Sequence, residues 1–209
     1  MSLWPGRAER RGKSPAADLE SLTDAQLVER LRDGDESSLD EVIGRYGARV
    51  RTYLGLLVRD QTWAEDLTQE TFVRVMENAA TYHPQYPFSV WLFRIARNLA
   101  IDLLRRDKIH QRAMDTLKSE PQAFDPRSRR SSSPLSQLEE RELNHQFEGA
   151  VQRLPESFRT VFLLRHFEGM SYEEIADVVG VPLKTVSTRL HRARTQLRHY
   201  LASYLGAEA

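Results

Sequence analysis

Apolar residues along this chain recur at intervals of three and four, and no stretch alternates convincingly in the manner of a strand. Thr23 and Gln26 form a capping box, which predicts a short helix through Leu27, Val28 and Leu31 that stops near Gly34. Asp35 is placed to cap a second helix, whose apolar stripe runs Leu39, Val42, Ile43, Tyr46, Val50 and Leu54. A third helix, from about Asp60 to Ala80, carries Ala64, Leu67, Val75 and Met76. Two prolines between Thr81 and Pro87 predict a loop, and a longer fourth helix starts near Ser89 and reaches Arg112 or beyond.

The pattern then breaks. Residues 118–136 hold three prolines, the run Ser131-Ser132-Ser133 and few apolar side chains, and read as a flexible linker. Helical spacing resumes with Leu138, Leu143, Phe147 and Val151. Pro155 opens a further helix with Phe158, Val161, Phe162 and Leu164, ended by Gly169. Residues 1–17 are polar and basic and are expected to be disordered. The expectation is an all-α chain: a tail (1–17), a helical domain (18–117), the linker (118–136) and a second helical domain (137–209).

The second domain contains the most specific local pattern. Ser171 and Glu174 make another capping box, Ile175, Ala176 and Val179 form an apolar face, and Gly180 suits a left-handed helix end. Pro182 then starts a helix with the stripe Val186, Leu190, Ala193 and Leu197. Its opposite surface carries Lys184, Ser187, Thr188, His191 and Arg192, flanked by Arg189 and Arg194. This is the build of a helix-turn-helix with a basic reading face, which makes nucleic acid the leading partner.

A net charge of zero argues against that partner until it is divided along the chain. Residues 18–77 hold seven Arg/Lys against fourteen Asp/Glu, whereas 78–117 hold six against three. Residues 137–177 hold four against nine, whereas 178–209 hold five against one. Each half is acidic first and basic second, as expected of a protein with nucleic acid on one face and a partner protein on another. With no cysteine there is neither disulfide nor cysteine-ligated zinc, and the six histidines show no metal-ligand spacing. No apolar run approaches the roughly 18 residues that span a membrane, and no signal peptide follows the Arg-rich N-terminus. A cytoplasmic protein without cofactor or membrane insertion is expected.

Two further constellations carry chemistry. Tyr82, Tyr86, Phe88, Trp91 and Phe93 place five of the eighteen aromatic residues within twelve positions, with Arg94, Arg97, Arg105 and Arg106 close behind. Aromatic faces beside cations suit unpaired bases and their backbone, with Tyr82 on the loop the leading candidate for base contact and Trp91 equally suited to the core. Asp66, Gln69 and Glu70 share one face of the third helix, which suits an arginine-bearing partner helix.

These segments together resemble the extracytoplasmic-function (ECF) sigma factors of bacterial RNA polymerase. The matching runs are 65–72 (Glu65 to Phe72), 91–102 (Trp91 to Asp102), 171–176 (Ser171 to Ala176) and 189–194 (Arg189 to Arg194), in the family's order. The resemblance covers roughly residues 22–116 and 138–202. It implies that Asp66, Gln69 and Glu70 dock on the clamp helices of the polymerase's largest subunit, with a second contact at its flap region. It implies that Tyr82, Trp91 and Asn98 capture bases of the −10 element, with Arg94, Arg97, Arg105 and Arg106 holding its backbone. It further implies that Lys184, Ser187, Thr188, Arg189 and Arg192 face the −35 duplex, and it admits an anti-sigma factor as another partner. Lys184 and Ser187 depart from the residues frequent in the family, so −35 preference does not transfer from a relative. The linker is net basic, unlike a mimic of nucleic acid.

The alternative is a helix-turn-helix regulator that acts on duplex DNA without polymerase. It leaves the aromatic-basic segment and the Asp66 face unexplained. An enzyme is not expected: the chain has no Walker loop, Rossmann fingerprint, metal cluster or nucleophile elbow.

Overall fold

The computed structural model describes residues 19–114 and 146–202. The first part contains α1 (Asp24–Arg32), α2 (Ser37–Val58), α3 (Gln61–Glu77), a 3-10 turn (Ala79–Thr81) and α4 (Phe88–Met114). The second contains a helical stretch over 146–153, here α5, followed by α6 (Glu156–His166), α7 (Tyr172–Val179) and α8 (Leu183–Ala202). No strand occurs among the described residues, and the all-α expectation holds. The tail 1–17 and the linker 118–136 lie outside the described residues.

Side-chain caps fix three helix starts, those of α1, α3 and α7. Thr23 Oγ1 accepts the Gln26 amide while Gln26 Oε1 accepts the Thr23 amide at 2.8 Å. Ser171 and Glu174 repeat that exchange, with the Ser171 amide 2.7 Å from the Glu174 carboxylate. Asp60 caps α3 by accepting the Trp63 amide at 2.8 Å. At α2 the cap differs from expectation. Glu36 is the N-cap residue and makes no side-chain cap bond, while the Asp35 carboxylate takes the Ser37 amide at 3.2 Å. Gly180 ends α7 at φ +71°, donating its amide to the Ala176 carbonyl at 2.8 Å. Arg59 ends α2 in the same left-handed region, at φ +69°.

The first domain forms around α2, which contacts α1, α3 and α4. Val42, Tyr46, Val50 and Leu54 are buried as the periodicity predicts, but Ile43 stays 40 % exposed. Likewise Met76 is 37 % exposed, because α3 turns its other side, Leu67, Phe72 and Val75, inward. Tyr53 and Phe93 cross edge to face at 5.3 Å and tie α2 to α4. In the second domain Val161, Leu163, Leu164, Ile175, Val186 and Leu190 are buried, and α6 packs on both α7 and α8. The domains touch: α7 lies against α4, and α6 lies against α2.

These caps set measurable stabilities. Ser171→Ala should cost about 1 kcal/mol. Gly180→Ala should cost about 1–2 kcal/mol from backbone conformation alone, because nothing lies within 4 Å of the added Cβ. Urea denaturation followed by circular dichroism measures both. An unshifted midpoint in either variant would contradict the corresponding cap.

Candidate nucleic-acid interface

The −10 segment begins with a loop that is pinned from below. Arg32 of α1 donates to the Ala79 carbonyl at 2.8 Å and also to the Tyr82 carbonyl. The Tyr82 ring enters an aromatic cluster, 5.6 Å from both Phe88 and Trp91, and Tyr46 closes on Phe88 at 5.3 Å. This corrects the expectation for Tyr82. Its side chain is buried at 3 % exposure, and its hydroxyl donates to the Tyr86 carbonyl at 3.0 Å, so no face is free for a base. Burial also pushes the Tyr82 phenol above its ordinary pKa. Tyr86, which the sequence offered only as one aromatic among five, is 51 % exposed. Trp91 is half-buried, with part of its ring in the cluster.

Along α4 the polar residues fall on the side away from Leu92, Phe93, Ala96 and Ala100, which are buried. Arg94 and Asn98 are exposed one turn apart. Arg97 is half-buried and donates to Asn98 Oδ1 at 3.1 Å, which orients the Asn98 amide. Arg105 and Arg106 are exposed further along the helix, Arg105 lying 4.0 Å from Asp102. Such a row supplies cations for a backbone and an amide for a base edge.

The acidic and amide side chains of α3 point outward. Asp66 and Gln69 are exposed, and the half-buried Glu70 is held by Arg74 at 2.8 Å. Thr68 and Thr71 turn their hydroxyls back onto the carbonyls of Ala64 and Leu67, leaving the carboxylates and the amide as the outward chemistry.

On α8, Val186, Leu190, Ala193 and Leu197 are buried, which leaves Lys184, Ser187, Thr188 and Arg192 exposed and Arg189 half-buried. Thr188 Oγ1 donates to the Lys184 carbonyl at 2.9 Å. Between α8 and the start of α6 runs a groove of about 650 Å³, walled by Lys184, Arg189, Arg192, Ser157 and Phe158. Three cations above an apolar floor, next to a helix N-terminus, can hold a phosphate backbone. No group of three or more His, Asp or Glu residues among the described residues is arranged to hold a metal.

Comparison with known proteins decides between the open readings. Sigma-70 region 2 matches residues 42–109, and Sigma-70, region 4 matches residues 144–197. The ECF RNA polymerase sigma factor SigE of Mycolicibacterium smegmatis is 35 % identical, over 98 % of this chain and 82 % of that protein. The chain belongs to the ECF sigma factors of bacterial RNA polymerase. The RNA polymerase sigma-H factor of Pseudomonas aeruginosa is 34 % identical, over 82 % of this sigma factor and 90 % of its own length. Among solved structures, CnrH in complex with the cytosolic domain of CnrY aligns with a TM-score of 0.61 at 24 % identity, covering 89 % of this chain and 99 % of that one. The sigma factor RpoE of Bartonella quintana, in complex with the anti-sigma factor NepR, aligns with a TM-score of 0.65 at 23 % identity, covering 78 % of this chain and 95 % of that one. These two likenesses support the two-domain helical fold. A regulator that works without polymerase is not favoured.

Reading the sequence missed an ion pair between residues far apart along the chain and a buried arginine. Arg49 pairs with Glu168 at 2.7 Å, and Arg159 is buried at 4 % exposure. An arginine in a helical stretch signals exposure by default, so only the assembled fold reveals them. The burial of Tyr82 yields a direct check. Tyr82→Phe should lose about 1 kcal/mol with its hydrogen bond, and Tyr82→Ala should lose about 3 kcal/mol with its ring. Tyr86→Ala should stay within about 0.5 kcal/mol of the parent protein. Thermal denaturation that ranks Tyr86→Ala as the most damaging of the three would reverse the two roles.

Proposed function

We infer that this sigma factor divides its promoter work among three surfaces. The domain 18–117 docks on the clamp helices of the polymerase's largest subunit through Asp66, Gln69 and Glu70. Its α4 captures the −10 strand, with Asn98 on a base, Arg94, Arg97, Arg105 and Arg106 on the backbone, and Trp91 with the exposed Tyr86 available for stacking. Tyr82 shapes the loop from beneath. The domain 137–209 lays α8 in the −35 major groove through Lys184, Ser187, Thr188, Arg189 and Arg192, and meets the polymerase at its flap region. Residues 118–136 tether the two.

The observation that carries this reading is the pairing of two different basic surfaces on one chain. One is a recognition helix beside a groove walled by Lys184, Arg189 and Arg192. The other is an aromatic-capped helix whose cations and amide suit unpaired bases. Duplex reading alone requires only the first. In this reading the protein supplies no catalytic group, and bond formation belongs to the polymerase. It works in the cytoplasm, and an anti-sigma factor is a fitting partner because two solved relatives are complexes with CnrY and with NepR. No helix among the described residues is long and apolar enough to cross a membrane.

Charge reversal tests the docking face. Asp66→Lys with Glu70→Lys should reduce co-purification with core polymerase by about tenfold, equivalent to about 1.4 kcal/mol. The fold should survive, because the solvent-accessible Glu70–Arg74 pair contributes less than about 1 kcal/mol. Undiminished co-purification would sink the docking assignment.

Reading of the −35 duplex is tested at Arg192. If Arg192 bonds a guanine edge, Arg192→Ala should cost about 1–3 kcal/mol and relax choice at that base pair. If it meets only phosphate, binding should fall evenly across sequences and the salt slope should drop by about one charge. Titrations of promoter variants at several salt concentrations separate these outcomes, and unchanged affinity everywhere would remove Arg192 from the interface.

A further inference from the structure

None of the three promoter surfaces assigned above includes a residue of α1, yet both ends of this helix bear on the −10 segment. At its start the Asp24 carboxylate accepts the Tyr46 hydroxyl at 2.5 Å through one oxygen and Arg45 at 3.1 Å through the other. Burial and the Asp24 carboxylate push the Tyr46 phenol well above its ordinary pKa, so its proton stays in place to donate. The Tyr46 ring in turn meets Phe88 of the aromatic cluster. Asp24 thus fixes the start of α1 to the helix that underlies the cluster.

The far end of α1 carries Arg32. Its Nε donates to the Ala79 carbonyl at 2.8 Å and its Nη2 to the Tyr82 carbonyl. These carbonyls stand at the two ends of the 3-10 turn, where the Tyr82 amide also donates to Ala79 at 3.2 Å. One planar guanidinium therefore closes the turn from outside, which a single ammonium cannot do. The bonds continue from there. The Tyr82 hydroxyl donates to the Tyr86 carbonyl at 3.0 Å, and the Tyr86 amide donates to the His83 carbonyl at 3.1 Å. A continuous set of bonds thus joins α1 to the exposed Tyr86. A loop already held in shape need not be ordered when a strand arrives, and that ordering would otherwise weaken binding. Arg32 is itself exposed, so direct contact with a phosphate is the rival account.

We propose that Arg32 is the positioning residue of strand capture: its two carbonyl bonds set the loop that presents Tyr86 beside α4, and it does not touch the strand itself. It rests on the −10 assignment of α4 and Tyr86.

The test uses the full-length protein assembled with core polymerase. Single-stranded DNA randomised over a short window is enriched for binding to the parent assembly, and the enriched strand is compared with the starting pool. Arg32→Lys keeps the charge but cannot bridge both carbonyls. It should weaken binding of the enriched strand about fivefold to tenfold and binding of the pool less than about twofold. Arg32→Gln should show the same loss of discrimination with the salt slope of the parent, whereas loss of a direct phosphate contact would lower that slope by about 0.7. Hydrogen exchange supplies a readout independent of DNA. The amides of Thr81, Tyr82 and Tyr86, all bonded within the turn and loop, should exchange faster in Arg32→Lys, while those in the buried part of α2 keep their parent rates. Parent-like discrimination in Arg32→Lys, unchanged exchange in the turn, or a lowered salt slope in Arg32→Gln would each overturn the proposal. No enrichment by the parent assembly, or full binding of the enriched strand by Asn98→Ala, would instead remove the −10 assignment beneath it.

Discussion

The all-round burial of the last turns of α2 is the constraint on which the rest of the molecule depends. Tyr53, Leu54, Gly55, Leu56, Leu57 and Val58 are consecutive and all buried. A segment apolar around its whole circumference must be covered on every side, and α2 packs against α1, α3 and α4 of its own domain and α6 of the other. Each fully buried leucine there contributes about 1.5–3 kcal/mol relative to exposure. The positions of α4 and α6 follow from this packing. Since α4 carries the candidate −10 residues and α6 supports the recognition helix, one buried helix sets the placement of both DNA surfaces.

What could be read from the sequence was what depends on near neighbours. The Thr23 and Ser171 capping boxes, the Gly180 helix end and the buried stripe of α8 are written within four residues of themselves, and all are present. The recognition face was legible for the same reason, because fixing the buried side of α8 fixes the other. Tyr82 was misread because its environment comes from elsewhere: Arg32 draws down its carbonyl, and Phe88 and Trp91 enclose its ring. Ile43 and Met76 fit an apolar spacing, yet no element covers them. The Asp35 cap slipped by one residue because a carboxylate can reach the same amide from more than one position. The contact between domains left no local mark, since Arg49 and Glu168 stand 119 residues apart.

Zero net charge and two basic surfaces coexist because charge is segregated by helix. The carboxylates of α3 face outward at Asp66 and Glu70, while the cations of α4 and α8 lie on other faces. At physiological ionic strength fields fade over about 8 Å. A strand or duplex therefore responds to the nearest cluster and not to the molecular total. The same segregation gives α7 its acidic first turn, Glu173 and Glu174, with Asp177 further along beside the arginines of α4. Where α7 meets α4 an acidic segment therefore faces a basic one, whereas α6 meets the acidic half of the first domain and is paired there through Arg49 and Glu168.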